Sequence, residues 1–390
     1  MSATARVTDR SIPLARPNIG RRELELVTQV LSSDVLAMGD FALRFEGGIA
    51  ALAGRSEGVA CSSGTAGLHL AVRALDIGES DEVITTPFSF VASANCLLYE
   101  RAVPRFVDIE EDGLGIDPDL LETAASGRTR AVLPVHVFGR PCRIDAIASI
   151  ARRHGWALIE DACEGLGSSV GGRPLGSFGD AAVFAFYPNK QITTGEGGVV
   201  VTDDHALAET MRSLRNQGRD PDGTWLRHVR LGYNYRLDEL SAAVGVAQLE
   251  RRQELQRERA RVVVAYERAL GGRDWVILPR AGSGEQVDWF VYVVRLGPDI
   301  DRDALVGRLA RRGISTRPYF APIHLQPLYR ERFGFAPGDF PVTESVAAST
   351  LALPFSSLLA DDDVQRVADA LIAEVSVRSH RLGARGHPGK

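Results

Sequence analysis

The chain has 390 residues, 45% of them hydrophobic and 24% charged, with a formal net charge of −5. That length suits one large domain and a smaller one with ample core, and the charge supplies no bulk basic field to recruit nucleic acid or an anionic membrane. No apolar run approaches the roughly 20 residues that span a bilayer, and the polar start MSATARVTDR lacks the apolar stretch of a signal peptide, so the expectation is a cytoplasmic protein.

In chain order, residues 1–15 are expected to be flexible. From about Glu57 to Val201, short apolar strands alternate with helical stretches. The strand candidates are Glu57–Cys61, Glu82–Thr86, Val103–Val107, Arg130–Val137, Trp156–Glu160, Ala181–Phe186 and Gly198–Thr202, several bounded by turn residues and rich in Val, Ile and Phe. Between them lie helical patterns such as Thr65–Leu75 and Ile144–His154. This alternation predicts an α/β fold, with helices on both faces of a mostly parallel sheet. A long helical pattern, Leu237–Leu270, turns from apolar to charged at Glu250, as a helix leaving one domain for another would. A strand Trp289–Leu296 and helices near Asp301–Arg311 and Asp361–Val375 follow. The expected division is a large domain over 16–250, a small C-terminal α+β domain over 251–376, and a basic, mobile tail over 377–390. Cys61, Cys96, Cys142 and Cys163 form no Cys-x-x-Cys pair, so buried reduced thiols are expected, with no zinc site and no disulfide framework.

The first segment with chemistry in it joins strand Glu57–Cys61 to the next helix through Ser62-Ser63-Gly64-Thr65. A helix N-terminus offers unpaired N–H groups and a positive dipole end to an anion, Gly64 permits close backbone approach, and Ser63 and Thr65 add hydroxyls. The same segment also reads as an ordinary Ser/Thr helix cap. It has no Gly-x-Gly-x-x-Gly, and no Walker A segment occurs anywhere, which counts against nicotinamide and ATP enzymes. Strand Trp156–Glu160 runs into Asp161 at the edge of the sheet where ligands of open α/β folds bind. A carboxylate there would keep a pyridine nitrogen protonated, as pyridoxal phosphate (PLP) chemistry requires, although Asp is also a common helix cap. Lys190 follows the strand Ala181–Phe186 and precedes Gly195-Glu196-Gly197-Gly198. A desolvated lysine is the amine that imine chemistry uses, whereas most lysines are solvated surface charges. The combination and its order, cradle then Asp161 then Lys190, is that of fold-type I PLP enzymes.

The chain closely resembles the DegT/DnrJ/StrS family of sugar aminotransferases from about Pro17 to about Leu371. The segments that carry the resemblance are Cys61 to Leu68, Thr86 to Ala92, Val135 to Gly139, Ile159 to Ala162, the Lys190 segment through Gly198, Gly232 to Arg236, and His324 to Tyr329. The resemblance implies that Lys190 is the Schiff-base lysine and proton shuttle, that Asp161 partners the pyridine nitrogen, and that Gly64 and Thr65 belong to the phosphate-binding turn. It implies that Phe90 stacks on the PLP ring and that Asn234 reaches the phosphate of a neighbouring subunit's cofactor, hence a homodimer with shared active sites. Tyr319 and His324 lie where relatives meet a nucleotide-sugar, and Arg236 or Arg317 are candidates for the amino donor's carboxylate.

Two positions depart from the family pattern. Ala185, five residues before Lys190, stands where relatives carry a phosphate-binding Ser. Glu164 stands where Gln or His is common near the phenolic oxygen of PLP, and a carboxylate there would repel a phenolate unless protonated or turned away. The reaction implied is ping-pong transfer of an amino group, from glutamate to a nucleotide-linked keto sugar. The alternatives are amination of a cyclic ketone such as an inosose, a non-catalytic regulatory protein, and a PLP sugar dehydratase of the same fold. Relatives of the last kind replace the lysine with histidine, so Lys190 argues against it.

Overall fold

The computed structural model describes residues 11–220, 223 and 226–383, with side chains described up to residue 376. Its main sheet is built from the strands Glu57–Cys61, Gly198–Thr202, Ala181–Ala185, Ala157–Asp161, Thr129–Leu133, Glu82–Thr85 and Val103–Phe106, in that spatial order. Gly198–Thr202 is antiparallel to both neighbours, and the other strands share one direction. The sheet is therefore mostly parallel, and helices cover its faces. Val59, Val83, Ile159, Val183 and Val200 bury on one side, against helices Gly64–Ala74 and His205–Arg215, while Phe184, Phe186, Val199 and Val201 bury on the other with Phe45 of helix Asp40–Leu52. Strands covered on both faces read as continuous apolar runs, which is why they were visible in the sequence.

The predicted strand Arg130–Val137 is shorter than expected. It ends at Leu133, because Pro134 has no N–H to donate and Phe138 takes a left-handed conformation at φ 60°. The segment beyond still serves the site. The Asp161 N–H donates to Pro134 O at 2.9 Å and the His136 N–H donates to Asp161 O at 3.1 Å, tethering the end of the neighbouring strand.

The long helix expected over Leu237–Leu270 is two helices, Glu239–Glu250 and Arg252–Leu270. Arg251 breaks them at φ −112°, ψ 14°, with its guanidinium bonded to Asn18 Oδ1 at 3.1 Å and Glu254 Oε1 at 3.0 Å. The second helix enters a separate core. Val262, Val263, Tyr266 and Leu270 pack against the antiparallel strands Val276–Ile277, Tyr292–Leu296 and Thr350–Leu353. The strand predicted from Trp289 begins only at Tyr292, since Arg259 rather than a neighbouring strand takes the Phe290 carbonyl.

Both ends of the described chain are more ordered than the sequence suggested. Residues 1–10 and 384–390 lie outside the described residues, but within the N-terminal stretch read as flexible, Ile12 is buried. Its N–H donates to Gly313 O at 2.7 Å, and it accepts from Ser315 N–H at 3.0 Å. Burying a side chain of that size contributes roughly 1.5–3 kcal/mol, enough to hold the segment down. The last helix runs Asp361–Gly383, so the basic tail begins as helix. Among the described residues no helix is long and apolar enough to cross a membrane.

Candidate active site

At the start of helix Gly64–Ala74, Ser63 is the N-cap, and its hydroxyl accepts the Ala66 N–H at 3.1 Å. That leaves the first N–H groups of the helix without intrahelical acceptors. Gly64 is required by close packing rather than by backbone angle: a Cβ there would lie 2.6 Å from the Ala185 Cβ and 3.0 Å from the Cys163 Sγ. Ala185, the position where a hydroxyl was expected, thus forms the wall behind the cradle.

Asp161 ends its strand buried. Ser93 Oγ donates to Asp161 Oδ2 at 2.6 Å and the Cys163 N–H donates to Oδ1 at 3.1 Å. Because the Ser93 proton is committed to Asp161, the Ser89 hydroxyl, 2.8 Å away, is the donor to Ser93. Both carboxylate oxygens are therefore fixed, and charge-assisted bonds of this kind are the stronger class.

Lys190 lies in the turn after strand Ala181–Ala185. Its Nζ donates to Glu164 Oε1 at 3.4 Å and sits 4.3 Å from the ring centroid of Phe290. Glu164 Oε2 accepts the Phe138 N–H at 2.7 Å. Burial pushes the Glu164 carboxyl above the ordinary carboxylate range, and the ammonium of Lys190 offsets only part of that. Glu164 thus turns one carboxyl oxygen to Lys190 and the other to the Phe138 N–H.

These groups share one cavity of about 660 Å³, into which Ser63, Gly64, Thr65, Phe90, Asp161, Glu164, Lys190 and Tyr319 all project from the predicted set. Phe90 is 62% exposed at its mouth. Tyr319 stacks on Phe320 with centroids 5.1 Å apart, and burial raises its phenol above the ordinary value, with Glu164 adding to the effect.

The remaining predicted residues lie elsewhere. Asn234 is exposed and off the cavity wall. Arg236 donates to Asn216 Oδ1 at 2.9 Å, and Arg317 is exposed and donates to Thr316 O at 3.0 Å. His324 is fully buried, with Nε2 3.0 Å from Glu344 Oε1 and its ring against Phe340, and it is not on the wall of this cavity. Two further site residues carry no signal in the local sequence: Ser93, one helical turn beyond Ser89, and Phe290, which reaches Lys190 from a distant segment. The cavity wall carries Lys190 as its cation among the described residues, against Asp161, Glu164 and Glu196.

Comparison with known proteins agrees with this geometry. The model of the DegT/DnrJ/EryC1/StrS aminotransferase family matches residues 17–372. GDP-perosamine synthase of Caulobacter vibrioides is 39% identical over 367 residues, covering 92% of this chain and 97% of that protein. The structure of DesI in the presence of its TDP-sugar product superposes with a TM-score of 0.88 at 35% identity, covering 96% of this chain and 95% of DesI. Helicobacter pylori PseC, an aminotransferase of pseudoaminic acid biosynthesis, gives 0.88 at 28% identity, covering 93% and 99%.

The residues present fit PLP. The cradle is kept open by a glycine that no other side chain can replace, a fixed carboxylate stands at the strand end, an amine faces the same space, and Asn189 Oδ1 on the wall is buried without a hydrogen-bond partner. The chain belongs to the DegT/DnrJ/EryC1/StrS aminotransferase family and is a PLP-dependent aminotransferase.

Proposed function

We propose that the protein transfers the amino group of glutamate to a nucleotide-linked keto sugar, with Lys190 as the amine that bonds the cofactor. The observation that carries this is the placement of the Lys190 amine in the same cavity as the doubly anchored Asp161 and the Gly64 cradle. Bound PLP supplies an electron sink for the carbanion formed at the substrate carbon. The chain's own residues do the rest. The N–H groups at Gly64 and Thr65 hold the phosphate. Asp161, oriented by Ser93 and the Cys163 N–H, keeps a proton on the ring nitrogen. Phe90 covers the ring face, and Lys190 Nζ carries the proton to and from the reacting carbon. A nucleotide-linked sugar is supported by the likeness to a GDP-sugar enzyme and to a structure with a TDP-sugar product.

The acceptor and donor are both anionic, and the wall of one chain is rich in carboxylates. Cations or amides from a second copy would complete it, which supports a homodimer. In this reading Asn234, exposed and off its own cavity, reaches a neighbour's cofactor, with Arg236 and Arg317 as candidate donor contacts. Leu226, Val229 and Leu231 are exposed apolar residues in the same stretch, Leu231 at 76%.

The test is the absorption spectrum of the PLP-loaded protein before and after glutamate. The expected result is a visible band that shifts to the shorter-wavelength amine form of the cofactor and is absent in Lys190→Ala, followed by turnover with a member of a panel of nucleotide-linked keto sugars. A visible band retained in Lys190→Ala would overturn the assignment of the lysine. A band indifferent to glutamate would overturn the donor.

A further inference from the structure

Arg259 lies on helix Arg252–Leu270, in the second core, yet it reaches the Lys190 turn. The residue is 5% exposed. One amino group of its guanidinium donates to Lys190 O at 2.6 Å and the other donates to Phe290 O at 3.2 Å. Those two carbonyls belong to the residue that carries the reactive amine and to the residue whose ring the amine faces at 4.3 Å. Beside them, Gln191 Nε2 donates to Glu164 O at 2.6 Å and Asp288 O at 2.9 Å, so the same turn is tied to the same distant segment a second time. Among the described residues no carboxylate is within ion-pair distance of Arg259, although Asp288 acts on it through space. A buried guanidinium without a salt bridge is expensive to desolvate, and carbonyl dipoles hold it here. Burial lowers it to about 10, so it stays charged at neutral pH. Lysine could not replace it in kind, since an ammonium lacks the planar fork that meets two carbonyls at once.

Building on the assignment of Lys190 as the cofactor-bonding amine, we infer that Arg259 is a positioning residue, which fixes the Lys190 and Phe290 carbonyls so that Nζ is held on the Phe290 face and aimed into the cavity. Arg259 does not touch the reacting atoms; it acts through the main chain of Lys190. It also ties the second core to the site, because the helix that carries it packs on the antiparallel strands.

The test uses Arg259→Gln and Arg259→Lys in the full-length, PLP-saturated enzyme. Two readouts are taken: the apparent pKa of the visible band of the lysine-bound cofactor, and the rate at which that band forms when PLP is added to the unloaded protein. The expected result is a pKa displaced by at least about one unit and a rate at least about tenfold slower in Arg259→Gln, with Arg259→Lys intermediate. A role confined to stability would lower the melting temperature and leave both readouts unchanged. A pKa within about 0.3 unit and a rate within about twofold of wild type in both variants, or in Arg259→Lys alone where Arg259→Gln does not fold, would overturn the inference while leaving Lys190 intact. A wild-type protein with no visible band would instead overturn the Lys190 assignment on which this rests.

Discussion

Asp288 is 2% exposed, and neither of its carboxylate oxygens accepts a hydrogen bond; Arg252 Nη1 is 3.7 Å from Oδ2. Burial pushes the carboxyl up from near 3.8 to about 7, with Arg259 and Arg252 offsetting part of the rise. The folded state therefore holds a proton that the unfolded chain has already lost. The stability this contributes is fully present below the unfolded value and is lost as pH rises through about 7. Relative to Asp288→Asn, wild-type protein should lose up to about 1.4 kcal/mol per pH unit between roughly pH 4 and 7, then level off. Denaturant unfolding of the unloaded protein at a series of pH values measures this, and a flat difference would refute it. Such residues are not legible in a sequence, where nothing distinguishes Asp288 from a surface aspartate. Gly64, Asp161 and Lys190 stood out because each lies at or within a few residues of the end of an apolar strand, which carries it toward the sheet edge. His324 sat in a family-like segment, but burial against Phe340 and Glu344 is a tertiary fact.

At the scale of elements, one helix caps another. Glu239, in the first turn of Glu239–Glu250, is buried and accepts N–H groups from Gly39 at 3.0 Å, Phe41 at 2.9 Å and Ala42 at 3.0 Å. These are the orphan donors at the start of helix Asp40–Leu52, whose N-cap is Gly39 and has no side chain to offer. Replacing Glu239 by Ala should lower the unfolding free energy by about 1.5–3 kcal/mol, the range for hydrogen bonds to a charged group, with two buried donors and one half-buried donor left unpaired. A variant as stable as wild type by chemical denaturation would show that water or a rearranged backbone satisfies them. The same scale explains the misjudged element ends. Pro134 stops a strand that its apolar neighbours would have continued. Arg251 breaks a helix whose pattern runs straight through, because its guanidinium is drawn to Asn18 and Glu254. Periodicity reports which face is buried, but not where a side-chain contact interrupts the ladder.

For the whole molecule, the proposed homodimer has a direct consequence. Sedimentation equilibrium at micromolar concentration should give twice the chain mass of 42.2 kDa, and a 42.2 kDa species as the active form would refute shared sites. By itself the sequence determined the alternation of strands and helices, the mostly parallel sheet and the order of cradle, acid and lysine. Those features are written in local patterns: apolar runs that bury on two faces, and turn residues at their ends. Only the tertiary structure decided that Ser93 anchors Asp161, that Phe290 lies beneath the Lys190 amine, and that Arg259 joins both from another core. It also decided that Arg236, Arg317 and His324 are not on the wall of the cavity their own chain forms. Contacts between residues so far apart in the chain depend on how helices and strands pack, and no local pattern of residues encodes that distance.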